Sequence, residues 1–288
     1  MATSSTIEML KENIDSGVKA VVKIEEKWKA MCAIDTSSEY TESYFRETND
    51  DSVDGGTGSK IRGLAPLSPF PYVDVIETKI SSIVEKYAAE ALISMEAIAD
   101  LTIPMLQRKI YRLGRKLIYQ VDVAIKSGVR ADAGNTVAIA TGNEWDSDTE
   151  VNRNPIKTFL DAIQTLRVDG IDFLAGNGKI VLNGQDYTNV ISNTKVINHP
   201  TFTSVSAVQN GVVAGLVGGD LVVSEVVDAD EAYVLVAKQG MVWKQRQGIQ
   251  TSTVVTPGKS TLISAWERGV FQLQAPNEIC KITNTRKT

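Results

Sequence analysis

The stretch whose reading decides the fold is "IPMLQRKIYRLGRKLIYQVDVAIKSG" (Ile103–Gly128). Its apolar residues Ile103, Leu106, Ile110, Leu113, Leu117, Val121 and Ile125 recur every three or four positions, the period of one helix face. Pro104 suits a first helical turn, where its missing N–H costs nothing, and Gly128 suits a stop. The spacing predicts one helix of about 24 residues, about 36 Å long at 1.5 Å per residue. Its other side carries Arg108, Lys109, Arg112, Arg115 and Lys116, with no acid before Asp122. Such a row is either a solvated face or a surface for a polyanion.

Upstream, Ile7, Leu10, Ile14, Val18, Val21 and Trp28 form a weaker helical stripe, interrupted by Gly17. With only a polar tail before it, this segment reads as an arm docked on something else. Glu39–Arg46 and Tyr72–Ile80 are rich in tyrosine, valine, isoleucine and threonine and read as strands. Between them Arg46–Leu64, "RETNDDSVDGGTGSKIRGL", holds Asp50, Asp51, Asp54 and four glycines. Connections in compact domains run to about 4–6 residues, so this one reads as a long hairpin with an adaptable tip. Its return leg is stiffened by Pro66, Pro69 and Pro71.

Downstream, a shorter helix is expected over Pro155–Arg167. From Gly170 onward the runs "KIVLNGQDYTNVI", "DLVVSEVV" and "EAYVLVAKQGMVWKQR" turn to strand chemistry. A final pair of strands flanks "PGK" (Pro257–Lys259), a tight connection. Helices and strands are segregated rather than alternating, so the class is α+β.

The chain has 288 residues, 43% hydrophobic and 23% charged, with a formal net charge of -5. That balance fits a globular protein and excludes a dedicated, strongly basic nucleic-acid binder. Cys32 and Cys280 make neither a disulfide framework nor a C-x-x-C zinc pair and read as two reduced thiols. No signal peptide or membrane-length apolar run is recognised, so a cytosol-like compartment is expected. His199, the single histidine, precedes Pro200 with no G-x-S-x-G elbow and reads as a loop residue.

Three stretches imitate active sites. "PGKST" (Pro257–Thr261) suggests a phosphate loop, but the required first glycine is Thr253. "DDSVDGG" starts like a calcium loop at Asp50, yet its twelfth position is Ile61 rather than a bidentate glutamate. Asp228, Asp230 and Glu231 lie between strand runs with no basic partner nearby in sequence, and read as turn residues. No cofactor and no metal are expected, and the chain is read as a non-enzyme.

An arm, an extended loop and a long helix are devices for touching neighbours. In their order along the chain, these segments resemble the major capsid proteins of tailed viruses (bacteriophage or archaeal virus), the Hong Kong-97-type fold. The resemblance rests most on "GLVGGDLVVSEVVDADEAYVLVAKQGMVWKQR" and "STLISAWERGVFQLQAPNEICKIT", where Glu267-Arg268 precedes Phe271. It spans about 35 to 285, with Ile103–Gly128 in the place of the spine helix and Arg46–Leu64 in that of the extended loop. It implies an N-terminal arm (1–34), an extended-loop hairpin (35–80) and a peripheral domain with the spine helix (81–168). An axial domain (169–239), a peripheral-domain hairpin (240–270) and a C-terminal strand and tail (271–288) follow.

The function implied is a self-assembling icosahedral shell of pentamers and hexamers around double-stranded DNA, held non-specifically. It would be located in the virion and assembled in the host cytoplasm, with separate scaffolding, portal or decoration proteins and no membrane. Arg46, Asp50, Asp51, Asp54, Lys60 and Arg62 would form an intersubunit clasp. Arg108, Lys109, Arg112, Arg115 and Lys116 would form a basic helix facing the lumen. The chain starts about 35 residues before the loop, which implies a separate scaffold or none instead of a cleaved assembly domain. Lys60 is placed for a cross-link found in some relatives, but no asparagine lies between Gly211 and Pro276, so a non-covalent shell is expected. The alternatives are an encapsulin-like nanocompartment, an NTP-hydrolysing enzyme built on Gly258-Lys259-Ser260, and a plain oligomeric binding protein.

Overall fold

A long helix does form over the decisive stretch. The computed structural model describes residues 16–18, 26–49, 66–67, 76–94, 104–174, 177–197 and 215–287. In chain order the elements are α1 (Trp28–Met31), β1 (Ala33–Thr36), β2 (Thr41–Asn49), β3 (Ile76–Ile83), β4 (Glu85–Ser94), α2 (Pro104–Asp132) and β5 (Asn135–Ala138). Then come α3 (Pro155–Val168), β6 (Gly178–Leu182), α4 (Gly184–Ile191), α5 (Thr194–Ile197), β7 (Gly215–Leu216) and β8 (Gly219–Val223). The last are β9 (Glu231–Val236), β10 (Met241–Thr256), β11 (Ser260–Leu273) and β12 (Ile279–Thr283).

Helix α2 starts at Pro104 as expected but continues through Gly128 to Asp132, 29 residues in all. The apolar stripe carries on from Ile125 to the fully buried Val129, so packing outweighs the helix-weakening glycine. Helix α3 begins where predicted: Pro155 occupies its first turn and the Asn154 side chain accepts a hydrogen bond from Lys157 N at 3.3 Å.

The chain divides into two compact units. The first gathers residues 1–42, 81–127 and 243–272. Its sheet has the order β1-β10-β11-β4, and β4 pairs antiparallel with β11 from Ser260↔Ser94 to Gly269↔Glu85. On one face Tyr87, Ala89, Ala91 and Ile93 alternate toward Ile110, Leu113, Leu117 and Ile118 of α2, with Ile263 and Ala265 beside them. The predicted "PGK" connection joins β10 to β11: Lys259 N donates to Thr256 O at 3.1 Å, and Gly258 takes a positive φ of 71°.

The second unit holds residues 43–80, 128–242 and 273–288. Its six strands run β5-β12-β9-β6-β8-β7, mixing parallel pairs (β12 with β5, β6 with β8) and antiparallel ones. Strand β9 is buried along its whole length, as a central strand covered on both faces must be. Helix α3 packs on β5, β9 and β12 and sends Phe159, Ile163 and Leu166 into the core, where Phe159 meets Trp145 at 5.2 Å between ring centroids.

Strands β2 and β3 form a separate two-stranded ladder. The expected long hairpin is therefore present, shifted a few residues toward the loop on its first leg and away from it on its second. The connecting residues Asp50, Asp51, Asp54, Lys60 and Arg62, and also His199, lie outside the described residues.

Candidate intersubunit and polyanion surfaces

Helix α2 presents its basic residues as the periodicity predicts. Arg108, Arg112, Arg115 and Lys116 are exposed, and Lys109 is half-buried. They do not act as one stripe. Lys109, Arg112 and Lys116, spaced three and four apart, line a groove of about 710 Å³ shared with the edge strand β4. Arg108 and Arg115 are not among its walls. Lys86, Glu90 and Leu92 form the strand side, and Lys109 Nζ donates to Leu92 O at 3.1 Å. Lys86 lies over the Trp266 ring, 5.4 Å from its centroid, while Glu90 accepts from Ser264 Oγ at 3.0 Å.

Of the loop residues, Arg46 is the one that the structure describes. On β2, its guanidinium donates to Asp132 Oδ2 at 2.8 Å, to Tyr44 OH at 3.2 Å and to Leu273 O at 3.3 Å. The side chain is committed within its own chain, anchoring the base of the hairpin.

A buried ionic cluster was not visible in the sequence. Lys29 in α1 reaches Glu267 Oε1 at 2.5 Å and Glu26 at 3.3 Å, and Trp243 Nε1 donates to the same Glu267 oxygen at 3.3 Å. The acid of the Glu267-Arg268 pair is thus neutralised by a residue 238 positions away, a partner no local motif could signal. Asp122, on the same helix as the basic row, accepts from Lys27 N at 3.2 Å and Lys29 N at 3.1 Å, and so holds the start of α1. Burial pushes its carboxyl up to about 6, although these backbone donors pull the other way.

Two of the imitations of active sites resolve into structure, while the one starting at Asp50 lies outside the described residues. Arg130, in the last turn of α2, bonds Asp228 at 2.5 Å and Glu231 at 2.9 Å, supplying the basic partner missing from the local sequence. Glu231 also accepts from Tyr233 OH at 2.7 Å. "PGKST" is a hairpin turn. Cys32 and Cys280 are buried free thiols; burial raises both, the second to about 12, which keeps them protonated and unreactive. Among the described residues there is no cluster of metal-ligating side chains, and no helix is long and apolar enough to cross a membrane.

No protein-family model and no curated protein matches this chain. Solved structures do. The capsid of the cyanophage P-SCSP1u aligns with a TM-score of 0.67 at 13% identity, over 90% of this chain and 88% of that one. A virus-like particle from Pyrococcus furiosus aligns with a TM-score of 0.63 at 11% identity, over 95% of this chain and 99% of the other. The mature capsid of bacteriophage PhiM1 gives 0.62 at 13% identity, over 91% and 88%. The match runs through both compact units and leaves little of either chain unaligned, so this protein has the Hong Kong-97-type fold of the major capsid proteins of tailed viruses.

Proposed function

We propose that the chain is a major capsid protein that self-assembles into a closed icosahedral shell around double-stranded DNA. The observation that carries this reading is the near full-length likeness to subunits of capsids, on a chain whose polar clusters are occupied by structural ion pairs. It acts as a structural protein rather than an enzyme. Pentamers and hexamers form through head-to-tail contacts, which are heterologous and close into rings. The sheet-rich segment 169–239 clusters at the axes, and α2 forms the spine of the peripheral domain. The loop residues Asp50, Asp51, Asp54, Lys60 and Arg62 reach the neighbouring subunit, with Arg46 fixing the base of their hairpin.

The basic side of α2 faces the packaged polyanion, whose recognition is independent of sequence because it depends on phosphate charge. Separate scaffolding, portal or decoration proteins complete a virion assembled in the host cytoplasm. Electron microscopy of the protein expressed alone, with absorbance at 260 and 280 nm on the particles, tests the reading. Uniform closed shells are expected. Discrete small oligomers that no scaffold converts into shells would overturn it, and shells that copurify with an enzyme would favour a nanocompartment.

A further inference from the structure

Arg108, Tyr111, Arg115 and Tyr119 are spaced three, four and four apart and so form one line along α2. The line runs beside the groove wall of Lys109, Arg112 and Lys116 and shares no residue with the groove. All four side chains are exposed, Tyr111 to 41% and Tyr119 to 47%. From Arg108 to Ser127 the helix exposes no carboxylate, because its one acid, Asp122, is buried against the start of α1. A chain of net charge -5 thus concentrates positive charge and two aromatic rings on a single helix line.

A solvated helix face accounts for the arginines but not for the tyrosines. Tyrosine is a poorer helix former than arginine, lysine or glutamine, and at this exposure little packing offsets that deficit. What an exposed ring adds to a row of cations is a flat apolar surface. The ligand that matches both is a polyanion with flat apolar faces of its own, a nucleic-acid strand whose bases are unpaired. In a duplex those faces are stacked on one another, and the arginines alone would find partners, the phosphates. Tyr111 and Tyr119 stand about 12 Å apart along the axis at 1.5 Å per residue. A strand rising about 3.4 Å per nucleotide crosses that span in three to four nucleotides, so one bound strand reaches both rings.

We infer that the line of Arg108, Tyr111, Arg115 and Tyr119 binds single-stranded DNA, the tyrosines stacking on unpaired bases and the arginines holding the phosphates. The inference deepens the reading that the basic side of α2 faces packaged DNA. That reading needs charge alone, whereas this line selects strands with open bases. The polymer is DNA because that is what the shell-forming reading encloses.

Fluorescence anisotropy on the unassembled full-length subunit tests it. The labelled probes are a 12-base oligothymidylate, an abasic strand of equal length, a duplex of equal length and a 12-base oligouridylate. Wild type should bind oligothymidylate at least tenfold more tightly than the abasic strand. Y111A/Y119A should lose at least tenfold on oligothymidylate and stay within twofold on the abasic strand and the duplex. Y111F/Y119F should bind as wild type does, since stacking needs the ring and not the hydroxyl. R108A/R115A should weaken binding of every probe and flatten the dependence of log K on log salt by about 1.4 for the single strands, at about 0.7 per phosphate contact. Unfolding midpoints should be unchanged throughout, because the substituted side chains are exposed. Wild-type binding by Y111A/Y119A would overturn the inference, as would equal losses on oligothymidylate and the abasic strand, or a loss in Y111F/Y119F as large as in the alanine pair. Oligouridylate bound tenfold more tightly than oligothymidylate would overturn the assignment to DNA. Failure of the wild-type chain to close into shells would remove the shell-forming reading, a result distinct from all of these because the binding is read on unassembled subunits.

Discussion

Lys29 and Glu267 meet at 2.5 Å with side chains only 6% and 2% exposed, so the first compact unit closes over an ion pair. A pair so far from water gains little against its desolvation cost, but breaking it leaves a bare buried charge. K29M leaves Glu267 with Trp243 Nε1 as its remaining described donor. It should cost about 3–5 kcal/mol of stability, read as a lower urea midpoint. K29M/E267L should recover most of that loss. Equal midpoints for wild type and K29M would show that the pair is not held in solution.

Asp122 makes stability depend on pH in the direction opposite to most carboxylates. Its folded value, about 6, lies above the ordinary 3.8, so the folded chain binds this proton more tightly than the unfolded chain does. The contribution is full below the unfolded value and is lost as pH rises through 6. Over that window the group should lower stability by up to about 3 kcal/mol, at 1.36 kcal/mol per pKa unit. D122N cannot titrate. Urea midpoints at pH 4.5 and 7.5 should therefore show a smaller fall for D122N than for wild type. Its own level should be offset by about 1 kcal/mol, because the amide nitrogen faces a backbone donor. Equal falls in the two proteins would rule out the buried, charged carboxylate.

In the second unit, the Phe173 ring occupies space that two glycines vacate. A Cβ on Gly219 would approach Phe173 Cζ to 2.5 Å, and one on Gly178 would approach it to 2.7 Å. The ring is fully buried and cannot withdraw into water. G219A should lower stability by about 1–3 kcal/mol through overpacking, measured as a fall in Tm. G142A, whose Cβ meets nothing within 4 Å, has no such clash. It carries only the strain of a positive φ and should cost less. The reverse ranking would contradict the packing seen around Phe173.

How much of this was legible in the sequence depends on how local each signal is. The apolar spacing of Ile110, Leu113, Leu117, Val121 and Ile125 identified α2, because a helix face repeats within one turn. "PGK" marked the β10–β11 turn for the same reason. Strand β4 was not marked: "EKYAAEALIS", with three alanines, has no strand chemistry of its own. It is extended because ten residues pair with β11 far along the chain. Arg130 with Asp228 and Glu231, and Lys29 with Glu267, were illegible because the partners are about 100 to 240 residues apart. The basic row was legible, but which of its residues line the groove depends on where β4 lies.

Removing Asp50–Lys60 should leave the subunit folded. Strands β2 and β3 end at Asn49 and begin at Ile76, and the shortened connection of about 15 residues still closes the hairpin. Closure entropy changes slowly with length, by about 0.6 kcal/mol per doubling, so Tm should hardly move. Closed particles should disappear, since on the proposed reading these residues reach the next subunit. Particles formed at wild-type yield would show that the loop is dispensable for assembly.

The shell should also come apart completely in denaturant. Lys60 supplies an amine, but a cross-link of the kind found in related shells needs an asparagine in the neighbour's peripheral segment. From Gly211 to Pro276 there is none. On the proposed reading the contacts between copies are then non-covalent, and boiling in detergent removes them. Purified particles should run as one band at the monomer mass of 31.3 kDa. A ladder of multiples that survives reducing agent would show a covalent bond between subunits and direct attention to asparagines outside that segment. Dissociation in high salt alone would further indicate that charge holds the copies together.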